Sequence, residues 1–230
     1  MVDLKIEGGV ARIFLNRPEK VNALHSALLD SLLEAIRNIG ADEKVRIVVL
    51  GGHGKAFCGG ADVNELSRLD ASTAGAFVGR IHAVCAALRR LPVPVVARLH
   101  GTVIGAGLEI AAACDVRIAA EDTRFSMPEV RLGIPSVVEA ALLPRLMGSG
   151  RAAWLVLTGE AIDARRALEW GLIEEIGDDA ALEILLEKLL KGEREALRMQ
   201  KQLLQLWDEA PLAESVANSI QLFAEAHAKR

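Results

Sequence analysis

The sequence has no basic block. Its 27 Lys and Arg are set against 31 Asp and Glu for a formal net charge of -4, and no run of cations marks a surface for nucleic acid or anionic lipid. It has no apolar stretch near the roughly 20 residues that a bilayer span takes. Its first residues, MVDLKIEGGV, lack the basic, apolar and small-residue regions of a secretory signal. Neither nucleic acid nor membrane is expected as a partner, and the expected location is cytoplasmic. Cysteine is scarce as well: Cys58, Cys85 and Cys114 are odd in number, widely spaced and free of any CxxC, which supports neither a disulfide framework nor a zinc site. They read as small buried residues, and no metal is implied. Internal repeats and low-complexity segments are also missing.

What the sequence does hold is 51% hydrophobic residues in 230, enough to bury one sizeable core. Residues 4–7 and 10–15 read as short strands joined by a tight turn at Gly8 and Gly9. Leu24, Leu28, Leu32 and Ile36 recur four apart within 23–39, the spacing of a helix with one face on the core. VRIVVLGG at 45–52 is a continuous apolar run closed by glycines, as in a strand covered on both faces of a parallel sheet. A helix over 73–91 follows, then strands in LPVPVVARLHG and in DVRIAAED at 115–122. This alternation predicts an α/β fold. From Pro135 onward nearly everything reads as helix, and the composition shifts near Gly177. The leucines of 182–189 and 197–206 are more apolar surface than a terminal tail hides, which points either to subunit contacts or to packing within the chain.

The stretch His100–Asp115, HGTVIGAGLEIAAACD, sends a glycine-broken turn into an apolar helix from about Ala106, so that the unpaired N–H groups of the first helical turn point back into the glycines. Glu109, set between Leu108 and Ile110, is either a helix-start acid or a functional one. CGGAD at 58–62 offers a second turn of small residues after a buried strand. Two such turns converging at the carboxyl ends of parallel strands would form an oxyanion hole. Glu129, in a loop bounded by Pro128, Gly133 and Pro135, would be a second carboxylate at the sheet's edge. Two nucleotide motifs fail. GGHGKA has Val49 and Ala56 where a phosphate loop needs Gly and Ser or Thr, and GAGLEI has Ile110 where a dinucleotide fingerprint needs Gly or Ala. Neither ATP nor NAD is implied, and no separate cofactor is expected. His53 and His100 are lone loop imidazoles, and Arg145 reads as a structural ion-pairing residue.

In order along the chain, LNRPEKVNAL, AFCGGADV, HGTVIGAGLEIAAACDVRIA, FSMPEVRLGIP and LTGEAIDARRALEWGLI resemble the enoyl-CoA hydratase and isomerase superfamily, the crotonases, up to about Ile176. The resemblance implies a crotonase-like superhelix of ββα turns, with residues 1–176 as the acyl-CoA-binding and catalytic core and 177–230 as a helical trimerisation region. It also implies an acyl-CoA thioester substrate, of which coenzyme A is a part, and a homotrimer or dimer of trimers. Carried onto this sequence, the oxyanion donors fall on the backbone N–H groups of Ala61 and Ala106. The two hydratase acids fall on Glu109 and Glu129. Lys20, Val21 and Ala23 would flank the pantetheine and nucleotide, and backbone around Ala56, Cys58 and Gly60 would pair with adenine. The presence of both acids selects hydration of a trans-2-enoyl-CoA. The alternatives are isomerisation, decarboxylation or hydrolysis of an acyl-CoA, or a non-catalytic acyl-CoA-binding role. The stretch SVVEAALLPR stands where many hydratases of the family have glycines, and it puts a third acid, Glu139, beside the expected acyl pocket as either a helix-start or a catalytic group.

Overall fold

Gly8 and Gly9, at φ of 58° and 82°, turn β1 (Val2–Glu7) back onto β2 (Val10–Leu15) as an antiparallel pair. The computed structural model describes residues 1–228. The chain continues through α1 (Ser26–Ala41), β3 (Ile47–Gly52), α2 (Val63–Leu66), α3 (Ala74–Arg90), β4 (Val95–Leu99), β5 (Thr102–Ile104), α4 (Ala106–Ala112), β6 (Val116–Ala119) and β7 (Arg124–Ser126). Two short 3-10 turns, Glu129–Leu132 and Val138–Leu142, lead to α5 (Leu143–Met147), α6 (Ser149–Thr158), β8 (Ile162–Asp163), α7 (Ala164–Trp170) and β9 (Glu175–Ile176). Three helices close the described chain: α8 (Asp179–Leu190), α9 (Arg194–Glu209) and α10 (Leu212–Ala228).

The strands form two sheets. The larger has the order β1-β2-β3-β4-β6-β9, and every pairing after the first hairpin is parallel. All six residues of β3 are buried, as its unbroken apolar run requires. One face packs α1 and α3 through Leu28, Leu32, Ile36, Phe77, Val84 and Leu88. The other receives Leu182 and Leu186 of α8 against Val10, Ile47, Val49, Val96 and Ile118. Each such leucine taken out of water contributes about 1.5–3 kcal/mol. The leucines of α8 are therefore packed within the chain, against the larger sheet. On α9 and α10, by contrast, Leu204, Leu212, Val216, Ile220 and Phe223 are exposed.

The smaller sheet, β5-β7-β8, is not visible in the sequence pattern, since its strands are two or three residues long. Helix α1 starts at Ser26 rather than at Ala23 because His25 caps it, Nδ1 accepting from Leu28 N–H at 3.1 Å. Leu24 is taken up in a bridge to Ala61.

Candidate active site

Two turns are stitched together by backbone. Cys58 N–H donates to Thr102 O at 3.1 Å and Ile104 N–H donates to Cys58 O at 3.0 Å, a parallel bridge that lays the 58–62 turn beside β5. Glycine makes the approach possible at two points. A Cβ on Gly60 (φ +91°) would stand 2.9 Å from Ile104 O, and one on Gly107 would stand 2.7 Å from Cys58 Cβ. Around them several neighbouring amides are committed. Asp62 N–H donates to Leu24 O at 2.8 Å, Gly105 N–H to Ser126 O at 2.9 Å and Leu108 N–H to Gly105 O at 2.8 Å. The N–H groups of Ala61 and Ala106 have no hydrogen-bond acceptor among the described residues.

Ala61, Ala106, Glu109 and Glu129 all line one cavity of about 220 Å³. Its remaining wall is apolar: Val63, Leu66, Phe77, Val78, Ile81, Leu132, Ile134 and Val137 contribute, and no cation does. Glu129 opens the 3-10 turn after Pro128, and Gly133, at φ +78°, ends it. Its Oε2 accepts from the Ser136 hydroxyl at 2.9 Å, and its Oε1 is seated where a side chain on Gly105 would be. Ser136 lies in the segment whose departure from the family pattern was visible, but nothing in its spacing pointed to Glu129.

Glu109 is 4% exposed, and its Oε1 accepts from Ala140 N–H at 3.1 Å. Burial pushes its carboxyl up to about 8, the negative charges of Glu129 and Glu139 adding to the rise and the Ala140 hydrogen bond opposing it. Folding therefore favours the protonated acid. The stability this group lends is complete below its ordinary 4.5 and is lost as pH rises to about 8. Glu109→Gln is accordingly expected to be more stable than the native chain above about pH 8, by on the order of a few kcal/mol, with the gap closing toward pH 4.5. Urea unfolding of both proteins across that range measures it. A pH-independent gap would mean that Glu109 is not ionised at the cost of folding.

The residues expected around coenzyme A fall into two facing segments. Lys20 is exposed and Val21 and Ala23 are half-buried, while Ala56, Cys58 and Gly60 are buried opposite. Asn22, which the sequence reading passed over, joins the two. It is fully buried at φ +56°, and its Nδ2 donates to His53 O, Ala56 O and Phe57 O at 2.9, 2.8 and 3.2 Å. Asn accepts that left-handed conformation more readily than most residues. Arg17 adds an ion pair to Asp62. Cys58 and Gly60 are both tied into the turn: the backbone groups of Cys58 serve the bridge and its thiol donates to Asn22 O at 3.3 Å, while Gly60 O accepts from Leu24 N–H at 2.8 Å and its N–H donates to the Cys58 sulfur at 3.4 Å. Burial pushes that thiol, like the one of Cys114, up to about 12, so neither is a nucleophile.

Elsewhere, His53 pairs with Asp3 at 2.9 Å and stacks on Phe14, His100 bonds Gly54 O at 3.0 Å, and Arg145 pairs with Asp208 at 2.7 Å. All three serve structure. Glu139 stands in the first turn of Val138–Leu142, as a helix-start acid does, but it is buried there and meets His82 Nδ1 at 2.8 Å. Among the described residues no group of three or more His, Cys, Asp or Glu could hold a metal ion, and no helix is long and apolar enough to cross a membrane.

The sequence model of the enoyl-CoA hydratase/isomerase family matches residues 5–230. The 2,3-dehydroadipyl-CoA hydratase of Escherichia coli is 35% identical over 93% of this chain and 85% of its own length. The trans-2-decenoyl-[acyl-carrier-protein] isomerase of Streptococcus mutans is 35% identical over 80% and 72%. The crystal structure of an enoyl-CoA hydratase from Mycobacterium smegmatis superposes with a TM-score of 0.94 at 32% identity, over 97% of this chain and 89% of that one.

Proposed function

The chain belongs to the enoyl-CoA hydratase/isomerase family, and on that footing we propose that it adds water across the double bond of a trans-2-enoyl-CoA to give the 3-hydroxyacyl-CoA. The observation that carries this reading is the shared cavity, lined by the residues of two free backbone donors and by two glutamates. Attack of water at the β-carbon pushes charge onto the thioester oxygen. The N–H groups of Ala61 and Ala106 would hold that enolate, and donors already oriented in a dry site need little rearrangement as the charge forms. Glu109 orients the water and takes its proton, and Glu129 delivers a proton to the α-carbon. Burial in this chamber, with the negative charge of Glu129 adding to it, keeps the Glu109 proton in place up to about 8, so the base becomes available as the pH rises.

Coenzyme A would lie along the wall built from Lys20, Val21 and Ala23 on one side and the backbone around Ala56, Cys58 and Gly60 on the other. The cation-free lining suits an acyl group ending in hydrocarbon, because a terminal carboxylate would be desolvated there without a partner. We also propose a cytoplasmic location and a homotrimer or dimer of trimers, the assembly being supported by the exposed apolar residues of α9 and α10.

The test is to incubate the protein with crotonyl-CoA and with longer and branched 2-enoyl-CoAs, following loss of the conjugated chromophore and the mass of the product. Addition of one water supports hydration. An unchanged mass with a moved double bond would assign isomerisation, and binding without conversion would assign a carrier role. The pH profile reports which acid does what. With Glu109 as base, kcat/KM rises with pH through about 8, since that ratio follows the free protein's ionisations. A fall over the same range would exchange the roles of the two acids.

A further inference from the structure

Glu139 takes no part in the reaction proposed above, yet it is expensive to keep where it is. It lies in the Val138–Leu142 turn, 7% exposed, and packs between α3 and α4. Its Oε1 meets Nδ1 of His82 at 2.8 Å, while Oε2 is buried with no hydrogen-bond partner. An acid buried with an unanswered oxygen destabilises a fold, and an apolar residue would fill the same place without that cost. The turn itself is unusual. Val138 has φ +40°, a conformation that a β-branched residue holds only when its surroundings impose it. The residue after Glu139 supplies the Ala140 N–H that donates to Glu109 Oε1 at 3.1 Å. His82, on the outer side of α3, has a side chain 60% exposed, so the pair spans from solvent to the wall behind Glu109.

Resting on the hydratase reading, we infer that Glu139 and His82 are positioning residues for Glu109: their hydrogen bond fixes the strained turn to α3 and so aims the Ala140 N–H at the Glu109 carboxyl. The titratable groups facing Glu139 are His82 and Cys85 from α3 and Glu109 from α4, and Glu129 acts on Glu109 from its own turn. A negative charge on Glu139 opposes ionisation of Glu109, adding to the larger effects of burial and Glu129, so the pair also contributes to the pH at which Glu109 gives up its proton.

The experiment compares the native chain with Glu139→Gln, His82→Ala and His82→Asn on crotonyl-CoA. Glu139→Gln, whose amide oxygen still accepts from His82 but in a weaker, uncharged bond, is expected to lower the plateau kcat severalfold, with KM within about twofold. It should also move the rising limb of the pH profile downward, because one negative charge beside Glu109 is gone. His82→Ala should lose a similar factor in kcat, and His82→Asn, whose amide donates in place of Nδ1–H, should recover it. A purely structural role would lower Tm and leave the limb and the asparagine rescue unseen. Titration of the Glu109 Cδ resonance by ¹³C NMR needs no turnover and should shift to lower pH in Glu139→Gln. An unmoved titration, or an unmoved limb and kcat in a protein that melts with the native chain, overturns the inference. Should Glu139→Gln fail to fold, His82→Ala at its exposed position decides it, and native kcat there counts against the pair. If the native chain leaves every enoyl-CoA unconverted, the hydratase reading fails, while the NMR titration still judges the coupling.

Discussion

Ala106→Pro is expected to lower kcat/KM for a 2-enoyl-CoA by about 100- to 1000-fold while leaving Tm close to native. The factor is the usual cost of removing one donor aimed at a developing oxyanion. Most substitutions cannot make this test, because the donor is main chain and a side-chain change leaves it in place. Proline removes the N–H itself, and position 106 tolerates it. Ala106 is the first residue of α4, where an N–H has no helical partner and the fixed φ of proline suits the helix. The residue before it is Gly105, at φ 51° and ψ -122°, which presents no Cβ to the proline ring. Ala106→Ser is the control: it adds an atom to the chamber but keeps the N–H, and should retain activity within a few fold. Steady-state kinetics and melting curves of the two variants settle the matter. Near-native turnover by the proline variant would mean that the enolate is held elsewhere.

Glu129→Gln is the second large effect, a loss of about 100-fold or more in kcat, as expected when a positioned proton transfer is removed. The amide keeps the size of the carboxyl and can still accept from Ser136, whose hydroxyl lies 2.9 Å from Oε2. The seat against Gly105 is kept as well, so the change is in proton delivery rather than in shape. Exchange of the α-hydrogen of a saturated acyl-CoA with solvent deuterium should fall in parallel, since it uses the same transfer. Hydration at a near-native rate would remove Glu129 from the chemistry and leave Glu109 as the acid that serves the addition.

Much of this was legible along the chain. The leucines of α1 and the unbroken apolar run of β3 declare their partners by period alone, because a helix facing one layer and a strand covered on both sides leave different marks. The short strands β5, β7 and β8 leave none, since two or three residues carry no period. Asn22 and Ser136 were missed for another reason. Each acts through one side chain on groups distant in sequence, and a lone Asn or Ser in a loop is otherwise a solvated turn residue.

By itself the sequence determined which of the longer elements form, which glycines allow two turns to meet, and which two acids stand near them, because local periodicity, backbone freedom and residue chemistry are properties of short stretches. Tertiary structure alone decided that Ala61 and Ala106 open into the same cavity, that burial holds Glu109 near pH 8, and that Glu139 is paired with His82 rather than hydrated. Those are matters of dielectric and distance between residues up to 57 positions apart, and such quantities exist only once the chain has closed around them.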